Sequence, residues 1–112
     1  MSARGQIYLW AAQRVSAAVL ALCVLVHLST LIYAVRGGLS AAEILARTRA
    51  SVAWGSFYVI FVVAVAVHVP IGLRTVAAEW LNWYGRSRDV TAILIGLVLA
   101  VLGLRAVWAV LG

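Results

Sequence analysis

Apolar and polar positions fall along this chain in long blocks. Between Arg14 and Arg36 lie 21 residues without a formal charge, and between Arg49 and Arg74 lie 24. Between Asp89 and Arg105 lie 15, and the apolar run continues past Arg105 to Gly112. A helix that crosses a bilayer needs about 20 mostly apolar residues at about 1.5 Å each. The first two blocks reach that length outright. The third reaches it as 90–112 if Arg105 snorkels to the interface or finds a partner. The pattern predicts an all-α membrane protein with three transmembrane helices, about 9–35, 53–80 and 89–111. The whole chain, 1–112, reads as one domain.

The connections carry helix-end chemistry. Arg36-Gly37-Gly38 suits the end of the first helix. Ser40-Ala41-Ala42-Glu43 is a capping box that opens a short interfacial helix, about 41–49. Residues 82–89 form a polar turn into the third span. Trp10, Trp54, Trp80, Trp83 and Trp108 fall near predicted span ends, as an aromatic belt does. The first span is too long for the core of a cleaved signal peptide, and Gln13 and Arg14 interrupt its start.

Composition agrees. Hydrophobic residues make up 66% of the chain and mean hydropathy is +1.10. A chain this short cannot hide that much apolar surface in a water-soluble core. The single Cys23 forms no internal bridge. The net charge of +6 raises nucleic acid as a partner, but its nine arginines stand in ones and twos between apolar runs. A nucleic-acid footprint clusters its charges on one face, so that partner is excluded. With the N-terminus inside, arginines count five on that side and four on the other, which barely orients the chain.

Polar residues inside the spans need a reason, because hydrocarbon offers them no partner. On the first helix Gln13, Ser16, Cys23, His27 and Thr30 share one face. On the second, Phe61, Ala64, His68, Gly72, Thr75 and Glu79 share another. On the third, Ala92, Gly96, Ala100 and Gly103 form a small-residue stripe suited to close packing. His27 and His68 are the chemical centre of the sequence. Neutral imidazole is an axial ligand of haem iron, and Gly72, one turn from His68, leaves room for a porphyrin. The bland alternative is that each histidine only hydrogen-bonds a neighbouring helix. The two histidines also differ in depth. His27 is 13 residues from Arg14, about 20 Å, and His68 is six from Arg74, about 9 Å. That offset makes one shared iron within one chain awkward.

The segment from His68 through Gly72 and Arg74 to Glu79 resembles the second helix of the cytochrome b membrane anchor of succinate dehydrogenase and fumarate reductase (complex II). The family pattern is a haem-ligand His, then Gly, Arg and an acid at the same spacing, with Glu79 here in place of the usual Asp. Gln13-Arg14-Val15-Ser16 is similar to the family's His-Arg-x-Ser segment, with Gln13 replacing His. Trp10 stands where the family usually has a quinone-site serine. The resemblance implies haem b as cofactor, with His68 as iron ligand and His27 as a further candidate. It implies Arg74 as a propionate or docking partner, and Arg14, Ser16 and Trp10 at a quinone or propionate site. It also implies a haem-binding anchor that passes electrons between an iron–sulfur subunit and membrane quinone, beside a flavoprotein subunit. The second membrane-anchor chain is either a homodimer mate or a different small subunit. The location implied is a bacterial inner membrane with the N-terminus cytoplasmic. A haem-free anchor, another quinone-linked cytochrome and a small transporter subunit are the competing readings.

Overall fold

The computed structural model describes residues 2–112 as four helices. These are α1 (Ala3–Arg36), α2 (Ala41–Thr48), α3 (Val52–Leu81) and α4 (Arg86–Leu111). The protein is an all-α membrane protein: α1, α3 and α4 are each long and apolar enough to span a bilayer. The bundle measures 49 × 25 × 22 Å, so its long axis exceeds a hydrocarbon core of about 30 Å.

Helix ends follow local chemistry. Ser2 caps α1 by accepting from Gly5 N–H at 3.1 Å. The helix therefore starts six residues before the apolar block suggested, because a cap begins a helix and hydropathy only marks where lipid begins. A Schellman motif ends it: Leu39 N–H reaches Ala34 C=O at 3.0 Å and Gly38 N–H reaches Val35 C=O at 3.2 Å. Gly38 sits at φ +64°, where glycine costs least. The capping box of α2 forms as read, with Glu43 N–H on Ser40 Oγ at 3.2 Å. Helix α4 begins at Arg86, one turn before its expected start, because Arg86, Ser87 and Arg88 continue the helix outside the apolar block.

The packing is inside out relative to a water-soluble bundle. The buried hydrophobic residues are small: Cys23, Ala64, Ala77, Ala92 and Val107. Large side chains such as Leu22, Leu97 and Leu102 face outward. Without water to expel, membrane helices associate by close backbone approach, which small residues permit. Helix α3 lies in the middle and packs on both α1 and α4, while α1 and α4 barely meet.

The tightest approach is at Pro70. Proline has no N–H to give Ala66 C=O, which leaves a notch in α3. Gly96 of α4 sits in that notch, and a Cβ there would run into the Pro70 ring. Gly103 is similarly crowded, with Val62 methyls 2.8 Å from where its Cβ would be. Gly96→Leu is expected to cost about 1–3 kcal/mol by overpacking. SDS titration of the chain in mixed micelles measures this. Leu97→Ala, on the exposed face, changes it by less.

Candidate functional site

Three polar pairings join α1 to α3. Ser16 Oγ lies 3.4 Å from His68 Nδ1. His27 Nδ1 lies 3.3 Å from Tyr58 OH. Gln13 Nε2 lies 3.2 Å from where a Cβ on Gly72 would be. Together they set the two helices antiparallel. They also put His27 and His68 on separate levels, roughly 15 Å apart by the rise of ten residues from Tyr58 to His68. One iron cannot take both imidazoles of a single chain.

The Ser16 pairing has a chemical consequence. Its hydroxyl donates to Gln13 C=O at 3.1 Å. A hydroxyl has one proton, so toward His68 the oxygen is left as an acceptor. His68 Nδ1–H then donates, and Nε2 keeps the lone pair. A histidine that ligates a metal holds its other N–H on a partner in this way, which fixes tautomer and orientation. Ser16 is buried, 5% exposed, so water does not compete for the bond.

At the Trp10 end a polar cavity of about 650 Å³ opens between α1, α3 and α4. Trp10, Gln13, Arg74, Glu79 and Asp89 line it. Arg74 Nε donates to Asp89 Oδ1 at 2.9 Å, and Arg88 Nη2 meets the same oxygen at 3.0 Å. This triad ties α3 to α4. Glu79 has no ion pair among the described residues, so its carboxylate is free to exchange protons. Gln13 Oε1 is buried with no hydrogen-bond partner in the structure. Such an acceptor costs free energy, so it marks a place where a donor belongs.

Of the residues singled out in the sequence, Ser16 meets His68, and Trp10 meets Arg14, whose guanidinium lies 5.7 Å over its ring. Trp10 and Arg74 share the polar cavity, whereas Arg14 and Ser16 do not line it. Gly72 has room beside it, and the Gln13 amide uses that room. His27 sits apart, edge-on to Tyr58 and Phe61. The sequence reading missed Tyr58 as the partner of His27 and Asp89 as the partner of Arg74. An antiparallel register drawn from Ser16 and His68 finds the first. Helical spacing across the short turn finds the second.

The family model described as the succinate dehydrogenase/fumarate reductase transmembrane subunit matches residues 1–109. Neither the curated proteins nor the solved structures yield a match.

Ser16→Ala removes the only acceptor seen at His68 Nδ1. A hydrogen bond of about 1 kcal/mol corresponds to roughly a fivefold change in tautomer ratio. Solid-state ¹⁵N NMR of the histidine-labelled chain in lipid is expected to show the Nδ1–H form at His68. It is expected to show a gain of the Nε2–H form in the variant. Identical spectra would mean that the serine does not set the ring.

Proposed function

The chain belongs to the succinate dehydrogenase/fumarate reductase transmembrane subunit family, and from that premise we propose that it is a haem b-binding anchor that carries electrons between an iron–sulfur subunit and membrane quinone. The observation that carries the haem reading is the Ser16–His68 hydrogen bond, which leaves Nε2 as a ligand atom. The donor set fits half of a bis-imidazole site. His68 would hold the iron, and Arg74 is the cation on the same helix for a propionate. The second imidazole comes from another membrane-anchor chain, since His27 stands on another level. When bound, haem b supplies one-electron oxidation and reduction at its iron.

The residues around the polar cavity have separable tasks toward quinone. Gln13 Oε1 accepts a hydrogen bond from a quinol hydroxyl. Trp10 offers a flat apolar wall, and Arg14, stacked on it, places a positive charge beside an oxygen that gains electron density. Glu79 holds or releases the proton at its carboxylate. In this reading the Trp10 end faces the iron–sulfur and flavoprotein subunits, with the N-terminus cytoplasmic in a bacterial inner membrane.

A haem-free anchor is the second reading, and Gln13 favours it, because its amide occupies the space that Gly72 opens. One experiment separates the two. In the assembled complex, a b-type reduced-minus-oxidised band that disappears in His68→Ala, with haem content near background, supports the haem anchor. An unchanged spectrum and haem content would sink it. A wild-type complex with no band supports the haem-free anchor.

Quinone contact is tested separately. Arg14→Ala is expected to lower quinone reductase activity about tenfold or more, as loss of a charged hydrogen bond of about 1.5–3 kcal/mol implies. Dye-linked activity of the soluble subunits should hold. Equal losses in both assays would assign Arg14 to assembly.

A further inference from the structure

The half of the bundle away from Trp10 contains a second cavity, about 520 Å³ in volume. Its walls include His27 from α1, Tyr58 and Phe61 from α3, and Leu99, Gly103 and Ala106 from α4. It opens where α1 and α4 diverge over α3. The volume falls in the range of small-molecule pockets, about 300–1,000 Å³. His27 and Tyr58 are its only polar side chains, and no charged residue lines it.

Those two facts narrow the ligand. A haem brings two carboxylates, and burying them without cations is costly. An anionic headgroup meets the same objection. A neutral, mostly apolar molecule with one polar end does not. The His27–Tyr58 pair also has a donor to spare in either arrangement. If His27 Nδ1–H donates to the phenol oxygen, the Tyr58 O–H is free. If Tyr58 donates to Nδ1, the proton sits on Nε2 and that N–H is free. Either way one donor faces no partner, which suits a carbonyl. The edge-on rings of His27, Tyr58 and Phe61 offer aromatic surface to a flat ligand.

We propose that this cavity is a second quinone-class site, taking a neutral membrane-soluble ring whose carbonyl accepts a hydrogen bond from the His27–Tyr58 pair. The site rests on the reading of membrane quinone as the substrate of the complex. It is distinct from the Trp10 cavity, since His27 lies 17 residues from Trp10, about 25 Å along α1.

The test uses the full complex in its membranes, an aryl-azide ubiquinone analogue and light, with labelled peptides identified by mass spectrometry. Label is expected on residues 58–65 and 99–110, reduced at least fivefold by excess unlabelled ubiquinone. Tyr58→Phe removes the phenol donor, and Ala106→Phe fills the cavity from an exposed position. Each is expected to cut that label at least fivefold while circular dichroism and complex assembly stay as in the parent. Should Ala106→Phe fail to assemble, Tyr58→Phe alone decides. Label at α3 and α4 without label near Trp10 upholds this site and overturns the Trp10 one. Label near Trp10 alone overturns this proposal. So does α3/α4 label that excess quinone does not displace, which marks a bare lipid-facing surface. Haem lost from the complex on Tyr58→Phe or Ala106→Phe would make haem the occupant and overturn it too.

Discussion

Hydrocarbon provides no hydrogen bonds, and this one constraint fixes how α1 lies on α3. The polar side chains of α1 inside the span are answered across the interface: Ser16 by His68 and His27 by Tyr58. Each advance along α1 meets an equal retreat along α3, so both pairs form in one antiparallel register. Sliding either helix by a turn separates both at once. The energies show what the pairs contribute. Hydrogen bonds between membrane helices average about 0.6 kcal/mol when measured, too little for two of them to hold the bundle. They select a register, and packing supplies the stability.

That packing is concentrated on the other side of α3. Gly96 enters the notch at Pro70, and Gly103 lies against Val62, so α4 approaches closely through a dry middle. Polar latches close both ends. At one end Asp89 accepts from Arg74 and Arg88. At the other, Thr48 Oγ1 donates to Val110 C=O at 2.7 Å and Ala50 N–H to Leu111 C=O at 3.0 Å. The last carbonyls of α4, which have no partner within their own helix, are thereby satisfied by the turn between α2 and α3. Helix α1 has no comparable latch to α4, and this leaves open the face of α3 where the His27 cavity lies.

The spans were legible because bilayer thickness imposes a length, and apolar blocks report it directly. The polar stripe of α1 and the stripe containing His68 were legible for a related reason: periodicity assigns faces. The small-residue stripe of α4 likewise marked the helix that approaches closest. Pairings across helices were not legible, because a face does not state its partner. Tyr58 looked like one ring in an aromatic run with Trp54, Phe57 and Phe61 until the register placed it opposite His27. Gly72 signalled vacant space correctly, but nothing local said that Gln13, four turns from His27 on another helix, would use it. Helix starts were missed by several residues because Ser2 and Gly85 lie outside the lipid-like blocks.

Charge divides almost evenly between the two ends, and this bears on what each end does. The Trp10 end carries five arginines, namely 4, 14, 74, 86 and 88, against Glu79 and Asp89, leaving +3. The opposite end carries Arg36, Arg47, Arg49 and Arg105 against Glu43, also leaving +3, and together these give the net +6. The positive-inside rule therefore exerts little pull on the chain. The chemistry is far less even. The unpartnered Gln13 acceptor, the unpaired Glu79 carboxylate and the Arg74–Asp89–Arg88 cluster all stand at one end. At the other, Glu43 is absorbed by the α2 capping box and Arg47 lies over Tyr33. Groups left unsatisfied in the isolated chain gain most from a docked partner, so the Trp10 end gains more by association than the other. A chain whose arginines leave its direction open acquires one from that asymmetry.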